Sequence, residues 1–186
     1  MKEIEILYPL SNDIKDVFTK LEKFEHQGAK NTLDIYYVDE KRSDLKPSNG
    51  KIYKCFRLRQ KNDQAFITYK NDHYDGETWL YSDEHETAVE SFDEACNIVD
   101  CLGLTELVRI DNTKHTFITP NYEIVIEEVK DLGNFLEVEL LVSDEVTDIE
   151  SEKQKIRDFV KNLGLNPGEE LNSGKPELML IKQGKA

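Results

Sequence analysis

FLEVELL, residues 135–141, alternates acidic and apolar side chains. In an extended strand successive side chains point to opposite faces, so Glu137 and Glu139 share one face while Leu136, Val138 and Leu140 share the other. The same alternation recurs far away in KEIEIL, residues 2–7, where Glu3 and Glu5 oppose Ile4 and Ile6. Its basic counterpart is FRLRQ, residues 56–60, where Arg57 and Arg59 flank Leu58. Lys70 closes ITYK, and Glu127 lies in EIVIEE. An apolar face built from Ile4, Ile6, Phe56, Leu58, Ile67, Tyr69, Ile124, Ile126, Leu136, Val138 and Leu140 must be covered.

Period-two patterning marks strands over roughly residues 2–8, 33–38, 51–60, 65–70, 79–89, 107–118, 122–129 and 134–142. Residues 41–50 and 71–78 read as loops. Three amphipathic helices supply the cover. Ser11 caps the first, with Ile14, Val17, Phe18 and Leu21 at helical spacing and Gly28 where the chain leaves it. Ser91 with Glu94 forms a capping box for the second, which stops at Gly103. Thr147 with Glu150 does the same for the third, whose stripe of Ile149, Ile156, Phe159, Val160 and Leu163 ends at Gly164. A Glu-x-Glu strand precedes a capped helix three times, at Glu3 and Glu5, Glu84 and Glu86, and Glu137 and Glu139. The chain reads as one α+β domain over residues 1–186.

The 186 residues hold 24 Lys and Arg against 38 Asp and Glu, a formal charge of −14. Such a surface repels nucleic acid and anionic membranes, so neither is an expected partner. Any phosphate must be met by a local basic cluster. No run approaches the length of a membrane span and no signal pattern opens the chain, which is read as cytoplasmic. Cys55, Cys96 and Cys101 have no pairing or zinc spacing and read as ordinary thiols. The four histidines are scattered, and dinucleotide, Walker and nucleophile-elbow motifs are absent.

Two architectures satisfy the strand pattern. In an open sheet with helices on one side, the charged face meets water. In a closed antiparallel barrel that face turns inward. Two features favour closure: acids and bases are segregated by strand, whereas exposed sheets mix signs, and bases concentrate here in an acidic chain. Carboxylates and guanidinium groups crowded into a lumen cost several kcal/mol each without a ligand. A divalent cation carrying a polyphosphate satisfies both sets.

In this order and spacing the motifs resemble the CYTH domain of the triphosphate tunnel metalloenzymes, which include class IV adenylyl cyclases, thiamine triphosphatases and inorganic tripolyphosphatases. The resemblance covers nearly the whole chain. EIEIL stands at the E-x-E-x-K signature, DIYY at D-x-Y-[FY], FRLRQ at R-[IL]-R, TYK at T-x-K and EHE at the central E-x-E. VKDLGNFLEVE, the most specific, matches D-x-V-x-x-L-G-x-F-x-E-x-E.

The resemblance implies an antiparallel eight-stranded tunnel with helices outside. By it Glu3, Glu5, Glu84, Glu86, Glu127, Glu137 and Glu139 hold Mg²⁺ or Mn²⁺, and Arg57, Arg59, Lys70 and Lys114 bind the triphosphate, with Glu5, Lys70 and Lys114 catalytic. The implied substrate is a nucleoside triphosphate or inorganic polyphosphate, and the resemblance allows a homodimer. The specific expectation is a class IV adenylyl cyclase-like enzyme converting ATP to cyclic AMP and pyrophosphate. The alternatives are a tripolyphosphatase, a thiamine triphosphatase or a non-catalytic nucleotide or polyphosphate binder.

The chain departs from the pattern in four places. Leu7 replaces the signature Lys, and NTKHTF puts Asn112 and Lys114 where the family has Lys and Arg. Glu127 replaces an Asp, and SGKPELML lacks a Tyr after its Ser. Two lost charged hydrogen bonds cost about 3–6 kcal/mol, roughly two to four decades in rate. Lys51, Lys54 and Lys61 are the sequence's candidates to compensate.

Overall fold

The computed structural model describes residues 2–142 and 144–185. In chain order the elements are β1 (Lys2–Glu3), β2 (Glu5–Leu10), α1 (Ile14–Leu21), β3 (Glu25–Val38), β4 (Lys54–Lys61), β5 (Gln64–Asp75), β6 (Thr78–Val89) and α2 (Phe92–Cys101). There follow β7 (Thr105–Ile118), β8 (Tyr122–Val129), β9 (Gly133–Leu140), α3 (Ile149–Asn162) and α4 (Lys175–Lys182). A 3₁₀ turn, Ser43–Leu45, lies in the expected loop before β4. Among the described residues no helix is long and apolar enough to cross a membrane.

All strands belong to one antiparallel sheet, in the order β1-β6-β5-β4-β3-β7-β8-β9-β2. Its two ends, β1 and β2, are one run of chain broken only at Ile4, so the sheet closes into a nearly complete barrel. This corrects the count of eight to nine. Lys2 and Glu3 pair with β6, whereas Glu5 to Leu10 pair with β9, and the ladder breaks where the strand changes partner.

Beyond Glu3 the seam between β2 and β6 is filled by the C-terminal segment. Leu171 N donates to Leu7 O at 2.8 Å and Gly168 N to Pro9 O at 2.9 Å. A Cβ on Gly168 would lie 2.7 Å from Pro9 Cγ, so glycine permits this approach. On the other side Trp79 N donates to Asn172 Oδ1 at 3.1 Å. Edge groups that would otherwise be unpaired in the seam are thereby satisfied.

The apolar faces point outward and are covered as the periodicity requires. Ile4, Ile6, Ile124, Ile126, Leu136 and Val138 are buried with Val17 and Leu21 of α1 and Ile156 and Val160 of α3. Leu58, Ile35 and Tyr37 pack with Ala95 and Val99 of α2. Each such aliphatic side chain contributes about 1.5–3 kcal/mol of burial.

A third cluster lies inside one end of the barrel, where Leu7, Tyr36, Cys55, Ile110, Val129 and Phe135 meet Met179 and Leu180 of α4. Helix α4 is therefore a plug. Its short sequence, with Pro176 in the first turn, gave no extended apolar stripe to read.

Several local boundaries differ from expectation. Asp13, not Ser11, caps α1, and Asp148, not Thr147, caps α3, because each carboxylate accepts a backbone N–H of its own first turn. Ser91 caps α2 as expected. Residues 71–75, expected as loop, extend β5, and β3 begins at Glu25. Gly28 does not end α1. It sits in a bulge of β3 with φ +86°, a conformation that favours glycine.

Candidate active site

Inside the barrel the charged faces line a cavity of about 420 Å³. Every sequence-assigned site residue except Glu127 lines it. Strand register brings like to like. Glu5 stands opposite Glu139 across the β2–β9 ladder, and Glu3 shares the inward face of Glu5. Carboxylate oxygens of Glu3, Glu5 and Glu139 all lie within 4.8 Å of one another.

Such crowding favours the protonated forms. Burial, reinforced by Glu3 and Glu137, pushes Glu139 up to about 8. Burial, reinforced by Glu137 and Glu3, raises Glu5 well above the ordinary carboxylate value. Two ammonium groups oppose this in part: Lys70, which pairs with Glu3 and lies 3.1 Å from Glu84, acts on both carboxyls, and Lys175 acts on Glu5. Three hard oxygen donors on separate positions with a deficit of positive charge suit a divalent cation such as Mg²⁺ or Mn²⁺.

A basic wall faces the acids. Arg59 binds Asp34 with two hydrogen bonds, 2.7 and 2.8 Å. Burial alone would raise the Asp34 carboxyl, but Arg59 and Arg57 outweigh it and hold it below its usual range. Arg57 lies 3.7 Å from Asp34, 3.8 Å from Glu84 and 3.6 Å from Glu86. Its Nη2 donates to Thr68 Oγ1 at 3.3 Å, and Thr68 donates to Glu86 at 2.8 Å. These bonds fix the guanidinium groups before any ligand arrives.

The third cluster surrounds Glu127, which is fully buried. Its Oε1 lies 3.2 Å from Lys114 Nζ and 2.6 Å from Lys175 Nζ, and its Oε2 accepts from Asn112 Nδ2 at 2.7 Å. Lys175 also binds Glu137. Glu127 and Glu137, adjacent inward acids on β8 and β9, thus share the cations supplied by β7 and α4.

The seven assigned acids therefore separate by environment. Glu3, Glu5 and Glu139 form the carboxylate cluster, Glu137 borders it, Glu84 and Glu86 face Arg57 and Lys70, and Glu127 is ringed by lysines. Arg57, Arg59, Lys70 and Lys114 all reach the cavity.

Sequence reasoning missed Lys175 and the pairing role of Asp34. The Asp of DIYY was visible as a motif, but its partner was not. Lys175 had only a weak signal, a Lys before Pro at the start of a short helix. Leu7 points into the plug, packed with Met179 and Leu180, and is not an empty place in the basic wall. Of the proposed compensators, Lys61 lines the cavity; Lys51 donates to Glu77 O at 2.9 Å, and Lys54 lies 3.8 Å from Asp44.

Comparison with known proteins agrees with this geometry. The family description of the CYTH domain matches residues 1–171. A Methanocaldococcus jannaschii protein named provisionally as an adenylate cyclase is 25% identical over 168 residues, 89% of this chain and 91% of its own. A Pyrococcus horikoshii structure superposes with TM-score 0.76 at 23% identity, over 95% of this chain and 98% of its own. A Hippeastrum structure, described as a provisional adenylyl cyclase with a dominant triphosphatase activity, superposes with TM-score 0.62 at 17% identity, over 100% of this chain and 96% of its own.

Proposed function

The chain belongs to the CYTH family, and on that premise we propose that it is a metal-dependent enzyme that hydrolyses a triphosphate held in its tunnel. One observation carries the reading: the Glu3, Glu5 and Glu139 cluster and the cations Arg57, Arg59, Lys70, Lys114 and Lys175 share a single cavity. The donor set of Glu3, Glu5 and Glu139, bordered by Glu137, fits Mg²⁺ or Mn²⁺. When bound, such an ion polarises phosphate oxygens and offsets the charge that develops on them.

The chain's own residues do the rest. Arg57 and Arg59, preset by Thr68 and Asp34, bind non-bridging oxygens and align the chain of phosphates. Glu5 anchors the acidic side. Lys70, Lys114 and Lys175 exchange carboxylates for phosphate oxygens and carry the charge gathering on the leaving oxygen. Burial of all these groups in a narrow lumen strengthens each contact.

Hydrolysis is preferred to cyclisation on the lining of the cavity. Its aromatic residues are Tyr36 and Trp79, and both stand at the end closed by α4: Tyr36 packs with Met179, and Asn172 holds the Trp79 amide. At the opposite end Phe66, across the ladder from Arg59 and on the face of Thr68, is not among the described residues that line the cavity. The triphosphatase activity described for the Hippeastrum neighbour points the same way. Cyclisation of ATP is the second reading, favoured by the name of the Methanocaldococcus relative.

Phosphorus NMR of the protein with Mg²⁺ or Mn²⁺, given ATP and tripolyphosphate in separate tubes, decides between them. Phosphate release from tripolyphosphate is expected. Pyrophosphate and cyclic AMP from ATP, with tripolyphosphate untouched, would move the assignment to cyclase, and inertness towards both would remove the enzymatic reading.

A further inference from the structure

The basic wall continues past the residues that a triphosphate requires. Arg57, Arg59 and Lys61 occupy alternate positions of β4 and all line the tunnel. At about 3.3 Å per residue the row spans roughly 13 Å. Lys61 stands opposite Thr32 on β3, and two residues earlier Lys30 stands opposite Lys114 on β7. Lys30 also lines the cavity, so three adjacent strands bring Lys61, Lys30 and Lys114 together there, with Lys30 and Lys61 each six residues along its strand from the plug contacts Tyr36 and Cys55.

These cations differ in what holds them. Arg59 is bound by Asp34 and Lys114 by Glu127. Among the described residues no carboxylate lies within ion-pair distance of Lys30 or Lys61. Glu123 lines the same end and attracts Lys61, but its pull ranks below that of burial and of Lys30, Arg59 and Lys114, which together lower the Lys61 ammonium from its ordinary value. Like charges directly across a ladder, as at Lys30 and Lys114, destabilise a sheet. A chain of net charge −14 has acids in abundance with which to neutralise them. With Lys114 held by Glu127, Lys30 and Lys61 face one acid, Glu123, and the excess of positive charge indicates an anionic ligand.

Resting on the reading of the tunnel as a triphosphate site, we propose that Lys30 and Lys61 form a distal anion subsite. It takes the phosphates of a linear inorganic polyphosphate beyond the three held by Arg57, Arg59, Lys70, Lys114 and Lys175. The substrate class thereby extends to polyphosphates longer than tripolyphosphate, whose charge continues along the row, and a nucleoside gains nothing there.

The test compares affinities for tripolyphosphate and linear pentapolyphosphate by calorimetry at low temperature, at fixed free Mg²⁺ and ionic strength, with both ligands verified intact by phosphorus NMR. The unaltered protein is expected to bind the longer chain about tenfold more tightly. Lys30→Gln with Lys61→Gln should abolish that preference while leaving tripolyphosphate affinity within about twofold. A control of equal charge change on exposed helical and loop sites, Lys23→Gln with Lys161→Gln, should keep it. Equal affinity for both ligands in the unaltered protein, or equal loss in the control, would overturn the subsite and leave the triphosphate site standing. Failure of both ligands to bind would remove the triphosphate reading and the subsite with it.

Discussion

Lys175, on the helix that plugs the barrel, places its ammonium 2.6 Å from Glu127 on β8. It lies beside the carboxylate's other partners, Lys114 and Asn112. The position where the family pattern has a Lys holds Asn112, and α4 brings a charge to the same carboxylate from 48 residues further along the chain.

Replacing Lys175 by Met should therefore cost both stability and function. Glu127 and Glu137 would be left with less positive charge in a buried site, a loss of about 3 kcal/mol. Chemical denaturation should report that drop, and kcat/KM on the triphosphate should fall at least a hundredfold. Adding Glu127→Gln should recover much of the stability and none of the rate. Recovery of both would reduce Lys175 to a structural role.

The crowded acids predict an opposite trade. Glu139→Gln removes a carboxyl that must take up a proton to enter the Glu3, Glu5 and Glu139 cluster near neutral pH, so the metal-free variant should melt higher than the parent by a few degrees, at roughly 2–4 °C per kcal/mol for a chain of this size. Saturating Mg²⁺ should raise the parent's melting temperature by mass action and the variant's hardly at all. Equal Mg²⁺ shifts in both would place the ion elsewhere.

Glu177, at the start of α4, gives the stability a dependence on pH. Burial, with Asp72 adding repulsion and the Ile52 N–H only partly offsetting it, pushes its carboxyl up to about 7. A carboxyl raised above its unfolded value stabilises the fold at low pH, and that contribution is lost as pH rises from about 4.5 through 7. At pH 8 the ionised group costs about 3 kcal/mol. Glu177→Gln should be close to neutral at pH 4 and stabilising at pH 8 in urea unfolding. A difference that does not change between the two pH values would contradict the burial argument.

Leu7→Lys, the change that the family pattern invites, should fail. Leu7 is 2% exposed and packed with Phe135, Met179 and Leu180, so a lysine there must bury its stem against the plug and strain its ammonium toward the cavity. We expect a loss of about 2–4 kcal/mol in unfolding free energy and no gain in turnover, both measurable on the purified variant. A faster enzyme of unchanged stability would mean that the basic wall lacks a cation after all.

How much of this was legible depends on the range of the interaction. Period two is a property of a strand by itself, so the pairs Glu3 with Glu5, Arg57 with Arg59, and Glu137 with Glu139 could be assigned to one face before any partner strand was known. The apolar faces under α1, α2 and α3 followed for the same reason. Caps were legible to within one or two residues, because neighbouring Ser, Thr and Asp compete for the same amides and only the folded backbone selects one.

The sequence by itself determined which charged side chains would share one face of a strand. The segregation of signs it suggested holds for β2, β4 and β9 but not for β3, where Lys30 and Asp34 both line the cavity, or β5, where Lys70 and Asp72 do. Tertiary structure alone decided that Glu5 meets Glu139, that Glu3, Glu5 and Glu139 converge while Glu127 is enclosed by lysines, and that α4 supplies Lys175. Those facts rest on the register of strands more than a hundred residues apart and on an eight-residue helix docking into a barrel end. Local periodicity carries no information about either, because the free energy that selects them comes from closing the sheet and burying the plug, contacts that exist only once the whole chain has folded.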